Sequence, residues 1–320
     1  MRAPFQLDLH VPNFNYPDVA PGALFEKLVE IATAAEESGF SSLSLMDHLH
    51  QIGPVGPPEN HMFDGNTMLA AIAARTSSIH LGLLVGGVTY RNPALVAKIT
   101  TTLDVISGGR AVLGLGAAWF EDEHKAYGYE FPPLKTRFEY LEDALQICRA
   151  LFTQDVATVR GKHFHVEGAF NNPKPIRGDI PILIGGSGER KTLRFVAQYA
   201  DGSNLFGDVE RVKHLLGVLE GHCEDVGRDP AEITKTRMGS VYIASTHDDA
   251  EAKFQAATGG SEQARAGAFV GDPGEVAEQV QAYLDAGLDG ITITLPDVHD
   301  VETVRLAGET LGAVIGTRTA

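Results

Sequence analysis

Cysteine is nearly missing from this chain: Cys148 and Cys223 are the only two in 320 residues. Cys148 sits in a helical apolar pattern and Cys223 follows an expected helix, with no CxxC or metal spacing, so both read as ordinary reduced thiols. Positive charge is also scarce, with 26 Lys and Arg against 42 Asp and Glu and a net charge of -16. Nucleic acid and anionic membrane surfaces both require a basic face, so neither is expected as a partner. No stretch of about 18 consecutive apolar residues is present. Met1–Leu9 lacks the uninterrupted apolar run of a signal peptide, and a soluble, cytoplasmic protein is expected. Ser/Pro-rich linkers, composition breaks and internal repeats are absent as well. With 43% hydrophobic residues the chain can bury a large core, and a single domain over residues 1–320 is expected.

What is present is an alternation of two periodicities. Short β-branched or apolar runs fall at Phe5–Val11, Ser42–Asp47, Ile79–Val85, Ala111–Leu115, Ile180–Ile184, Gly202–Phe206, Arg237–Ala244 and Gly290–Leu295. Between them lie helical signals: Leu24, Phe25, Leu28, Val29 and Ala32 share one face, with Gly39 as a stop. Asn92-Pro93 and Asp272-Pro273 each place a capping side chain before a proline suited to the first helical turn. Eight strands alternating with helices imply parallel pairing and an α/β fold, a (β/α)8 TIM barrel, with a doubly wound sheet as the alternative. Two intervals exceed a plain connection and read as insertions after strands 4 and 7. The first holds a helix near Thr136–Phe152 and a hairpin-like stretch Ala157–Val166; the second, between Ser245 and Gly290, holds a helical piece, a Gly259-Gly260 break and another helix ending before Gly287.

In a barrel the chemistry sits where strands finish. The ends offered here are Asp8-Leu-His10, Asp47-His48-Leu-His50, Gly86-Gly87, Gly114-Leu-Gly116 with Ala117, Gly185-Gly-Ser-Gly188 and Phe206-Gly-Asp208. No lysine ends a strand, which removes the nucleophile of a Schiff-base aldolase. Two Asp–His pairs leave a metal-dependent hydrolase open as an alternative, but later strands end in Gly-Gly-Ser-Gly and Leu-Phe-Gly, which offer no ligands, and no metal is expected. The stretch Pro181-Ile-Leu-Ile-Gly-Gly-Ser-Gly188, followed by the basic, helix-forming run Glu189–Phe195, reads as a strand, a glycine turn and a helix N-terminus. Backbone N–H groups converging there favour a phosphate, and Arg190, Lys191 and Arg194 add local positive charge. A glycine-rich surface with a phosphate loop at one end and titratable groups at the other suits a large planar cofactor.

Five segments in order, Asp47-His48, Val88-Thr-Tyr-Arg-Asn-Pro93, Ser107–Gly116, Glu123-His-Lys-Ala-Tyr-Gly128 and Ile184–Gly188, resemble the bacterial luciferase-like flavin monooxygenase superfamily. Within it they are most similar to the coenzyme F420-dependent oxidoreductases, over almost the whole chain. The resemblance implies a cofactor lying across the barrel mouth, with its phosphate on Gly185, Gly186, Ser187 and Gly188 and its acidic tail met by Arg190 or Lys191. It also implies a bulge near Leu84–Gly87 behind the ring, often with a non-proline cis peptide, so that Val85 and Gly86 back the cofactor.

Carried over residue by residue, Asp47 would bond the polar edge of the ring and His48 would exchange the proton beside the reacting carbon. Gly116 and Ala117 would admit the cofactor's backbone contacts. His10, Tyr90 and Trp119 would border the substrate. Trp119 stands where the family's sugar-phosphate dehydrogenases carry an acidic glutamate, and Glu121 and Glu123 are not expected to reach the site. A hydrophobic alcohol, ketone or activated double bond is therefore the expected substrate, and hydride transfer the reaction. The alternatives are an FMN-dependent two-component monooxygenase on the same barrel and a cofactor-binding protein without turnover. His61, His124, His163 and His165 are expected on loop, helix or hairpin surfaces, and the helix-rich exterior suits a homodimer.

Overall fold

The computed structural model describes residues 4–316, so Met1–Ala3 and Thr317–Ala320, the two ends of the expected domain, lie outside the described residues. Eight parallel strands close into a barrel: Leu7–Val11, Ser42–Leu45, His80–Leu83, Ala111–Gly116, Ile182–Gly185, Gly202–Leu205, Thr234–Ile243 and Gly290–Thr294. Each pairs with its predecessor in sequence, and the eighth returns to the first through Leu7↔Ile291, Asp8↔Thr292 and Leu9↔Ile293. Closure leaves the barrel without a free edge.

The helices form where the sequence punctuates them. Leu24–Glu37 buries Leu24, Leu28, Ile31, Ala32 and Ala35 on one face and is followed by Gly39 at φ 100°. Asn92 accepts the Ala94 N–H ahead of helix Pro93–Ser107, and Asp272 and Glu275 form a capping box ahead of Pro273–Asp285. Cys223 lies inside the buried face of helix Val209–Val226 rather than after it. The insertion after the fourth strand contains helices Glu121–Tyr127 and Leu134–Thr153 and the antiparallel pair Ala157–Arg160 and His165–Ala169. The insertion after the seventh contains helix His247–Thr258, a short helix Glu262–Gly267 and a strand, neither of the last two expected from the sequence, ahead of helix Pro273–Asp285. That strand, Ala268–Gly271, pairs in parallel with Ser240–Ile243, where the ten-residue seventh strand runs past its barrel neighbours. Its four residues, with one glycine among them, are too short to show a period of two.

The third strand ends two residues before the expected Val85 and gives way to the bulge with a cis peptide that the resemblance implied near Leu84–Gly87. It stops at Leu83, the Leu84–Val85 peptide is cis, and Gly86–Gly87 resumes pairing with Leu115 and Gly116. Glycines make room for this bulge. A Cβ on Gly114 would sit 1.9 Å from the Leu83 carbonyl oxygen, one on Gly116 would sit 2.8 Å from Val85 Cγ2, and one on Gly185 would sit 3.2 Å from the Val85 methyls.

Candidate active site

The barrel mouth holds a cavity of about 660 Å³. Its wall includes His10, Asp47, His48, Val85, Gly86, Tyr90, Gly116, Ala117, Trp119, Gly185 and Gly186, so residues drawn from five strand ends converge. Ser187, Gly188 and Arg190 do not line it; they lie in the loop beyond Gly186, and the helix expected from Glu189 begins at Thr192. The amide of Gly186 is already engaged, donating to the Asn204 carbonyl at 3.0 Å, and Ser187 Oγ accepts the Phe206 N–H at 2.9 Å. This loop is thus tied to the end of the sixth strand.

Asp47 is buried and both of its oxygens are occupied. Arg91 Nη1 donates to each at 2.8 Å, and the Gly87 N–H donates to Oδ2 at 3.0 Å. Burial pushes this carboxyl up from its ordinary value, while Arg91 and the Gly87 amide oppose the shift. Arg91 also reaches Asp64 Oδ2 at 2.9 Å. The carboxylate therefore fastens the residues after the cis peptide to the end of the second strand, and the backbone of Asp47 is what remains for a ring edge.

His48 follows on the same loop. Its Nδ1 lies 2.6 Å from Glu123 Oε1, and its ring meets Trp119 and Phe120 edge-on at 5.9 and 5.8 Å. Glu123, expected to fall short of the site, is completely buried and forms its hub. Oε1 also accepts from the Tyr90 hydroxyl, and Oε2 accepts the Leu49 N–H at 2.8 Å. Burial alone would raise the Glu123 carboxyl, but the bonds from His48, Leu49 and Tyr90 hold it below its ordinary value. Burial and the same glutamate push the Tyr90 hydroxyl up, so it stays a donor. Helix Glu121–Tyr127 buries Glu123 and His124, and its Tyr127 latches the loop after the second strand by donating to the Leu49 carbonyl at 3.0 Å.

His124 is not a surface group either. It is fully buried, with Nδ1 2.7 Å from the Phe120 carbonyl, Nε2 2.7 Å from Thr89 Oγ1 and its ring stacked on Tyr90 at 4.7 Å. Acidic and basic residues at one-residue intervals in Glu121–Lys125 made this helix look solvated. Glu123 and His124 are the buried residues of this helix, while Tyr127, one turn on, is exposed.

The rest of the wall is apolar or neutral. Ile52, Val55, Leu134, Phe138 and Met238 line it, with Asn204 and Ser240 as neutral polar groups, and among the described residues no lysine or arginine does. Trp119 is 58% exposed at the rim. Among the described residues no group of three or more His, Cys, Asp or Glu side chains could hold a metal ion, because His48 is turned to Glu123 and Asp8 to serine hydroxyls.

A parallel barrel whose loops enclose an apolar cavity around a His–Glu pair defines an enzyme of the TIM-barrel class. The profile of the luciferase-like monooxygenases matches residues 6–290, and the chain belongs to that family of oxidoreductases. An F420-dependent glucose-6-phosphate dehydrogenase of Nocardia farcinica is 30% identical over 311 residues, covering 86% of this chain and 89% of that protein. The pyrimidine monooxygenase RutA of Stutzerimonas stutzeri is 30% identical over 268 residues, covering 81% and 71%. Among solved structures, an F420-dependent secondary alcohol dehydrogenase in complex with an F420-acetone adduct superimposes with TM-score 0.80 at 19% identity, covering 98% of this chain and 99% of that one.

Proposed function

We propose that the protein is a coenzyme F420-dependent oxidoreductase that moves hydride between the deazaflavin and a small, apolar organic substrate. The carrying observation is His48, backed by buried Glu123, in the wall of a cavity that bears no lysine or arginine among the described residues. Relatives named for F420 support the cofactor. The residues present fit it: Gly86, Gly116, Gly185 and Gly186 line the cavity without putting a side chain into it, so backbone can approach a flat ring closely. Asp47 through its backbone, Val85 and Gly86 would hold the ring, Gly185 to Gly188 its phosphate, and Arg190 its acidic tail.

When bound, the deazaflavin supplies the carbon that exchanges hydride, and the protein supplies placement and a proton site. Ionised Glu123 accepts the Nδ1–H of His48, which leaves Nε2 as the basic nitrogen available to the cavity. That atom takes the proton of a substrate hydroxyl or returns it to a carbonyl, and Glu123 balances the resulting imidazolium. Tyr90 fixes Glu123, while Trp119 and Phe120 cover the imidazole from water. A sugar phosphate carries two negative charges into its site, and this wall offers no cation to meet them, which favours a hydrophobic alcohol, ketone or activated alkene.

The pyrimidine monooxygenase among the relatives supports a second reading, an FMN-dependent monooxygenase on the same scaffold. Anaerobic mixing with oxidised F420 and a panel of secondary alcohols separates them. Bleaching of the deazaflavin with formation of the ketone is the expected result. Turnover only with reduced FMN, accompanied by oxygen consumption, overturns the proposal.

A further inference from the structure

One buried acid has no place in that mechanism. Asp8, on the first strand, faces the barrel interior, where Oδ1 accepts from Ser42 Oγ and Oδ2 from Ser44 Oγ, both at 2.7 Å. The Thr292 hydroxyl is its third partner, so among the described residues it is held by hydroxyls and no cation. Two residues along the same strand, and hence on the same face, His10 places Nδ1 3.0 Å from that same Ser44 Oγ. The register of the first two strands sets this up, pairing Asp8 with Ser42 and His10 with Ser44. His10 also lines the cavity, and with Nδ1 engaged by Ser44 its Nε2 is the nitrogen left for a cavity group. One hydroxyl thus bridges a cavity imidazole and an unpaired interior carboxyl.

We propose that Asp8, Ser44 and His10 form a proton relay joining the cavity to the barrel interior, with His10 a second acid–base group for the substrate and Asp8 the store for its proton. The hydrogen-bond directions follow from the donor inventory. An ionised Asp8 only accepts, so Ser44 donates to it, the Ser44 oxygen accepts from His10 Nδ1–H, and His10 turns a lone pair at Nε2 to the cavity. When His10, in place of His48, takes the proton of a substrate hydroxyl at Nε2, the Nδ1 proton passes to Ser44 Oγ and the Ser44 proton passes to Asp8 Oδ2.

Three bonds to hydrogen break and three form. His10 ends neutral in its other tautomer, Asp8 ends as the carboxylic acid, and the substrate's hydride leaves to the cofactor, a last step that rests on the function proposed above. The reverse sequence delivers a proton to a carbonyl. Burial favours both end states: it lowers His10 to about 4, aided by neighbouring His48, and raises Asp8. Among the described residues, the titratable groups facing His10 are Asp8 through Ser44 and His48 from the loop after the second strand. A carboxyl that merely ties the first, second and eighth strands together would need no link to an imidazole.

The test is the tautomer of His10, followed by ¹⁵N NMR of the imidazoles of the apoprotein across pH 4.5–8.5 and assigned against a His10→Gln spectrum. The relay predicts the Nδ1–H form at high pH and a switch to the Nε2–H form on acidification while the ring stays neutral. The switch disappears in Asp8→Asn and also in Ser44→Ala, which keeps the acid and removes only the bridge. A tautomer that never changes, or a switch that persists in both variants, overturns the relay. In turnover with F420, Asp8→Asn is expected to lower kcat about tenfold and displace the acidic limb of its pH profile, with KM within threefold. Failure of F420 to bind would defeat the proposed function and leave the tautomer switch standing; binding without the switch would defeat the relay alone.

Discussion

At the scale of single residues, His48 is the first acid–base group proposed for the substrate and Glu123 orients its imidazole. His48→Ala is expected to lower kcat by about 10²–10⁴ while leaving cofactor affinity within a few fold, measured by steady-state kinetics and fluorescence titration. Glu123→Gln removes the charge that three donors converge on, and a loss of roughly 1–3 kcal/mol is expected in urea denaturation, with turnover falling alongside. The depressed Glu123 carboxyl stabilises the fold above its unfolded value of 4.5, and that contribution is lost as pH falls through the lower folded value.

Two histidines act at a higher pH. Burial lowers His10 and His80 from 6.5 to about 4, so the unfolded chain binds more protons between those values. Stability is expected to fall on acidification from pH 6.5 to 4. His80→Asn should reduce the slope of Tm against pH in that window, and an unchanged slope would contradict its buried neutral state. Asp47-His48, Tyr90 and Trp119 were legible as cavity residues because each follows a recognisable strand end. Glu123 was not, because reach depends on how the following helix packs, which linear distance from the fourth strand does not report.

At the scale of elements, the bulge after the third strand is the feature on which the cavity floor depends. Gly116→Ala would press a methyl against Val85, 2.8 Å away, and displace the bulge toward the cofactor wall. A drop in F420 affinity of at least tenfold is expected, while far-UV circular dichroism keeps the wild-type form. Helix termini offer a control remote from the site. Asp272→Ala breaks the capping box and should cost about 1 kcal/mol in denaturant unfolding with kcat unchanged. Strands and caps were readable because local chemistry sets them: proline after Asn92 or Asp272, and glycine after a periodic run. The strand Ala268–Gly271 was not, since it exists by pairing with a stretch of the seventh strand far away in sequence. Nor was the start of the helix at Thr192, because Glu189-Arg-Lys191 carries good helix formers that the turn after Gly188 overrides.

At the scale of the whole molecule, eight alternations of strand and helix were enough to specify a barrel, since parallel strands joined by helices close on themselves or spread as an open sheet, and eight units fit closure. The location of the site followed from that closure. Its chemistry is less legible, because the cavity is assembled from loops whose side chains the scaffold does not dictate. The scarcity of lysine and arginine noted in the composition reappears as a cavity wall without either among the described residues, which is the physical basis for expecting an uncharged substrate.

Which cofactor the barrel takes decides the chemistry, and titration of the purified apoprotein with oxidised F420 and, separately, with FMN, followed by fluorescence quenching, answers it. Saturable binding of F420 at micromolar or lower concentration is expected, with FMN at least about a hundredfold weaker. Tighter binding of FMN, or of neither, would contradict it.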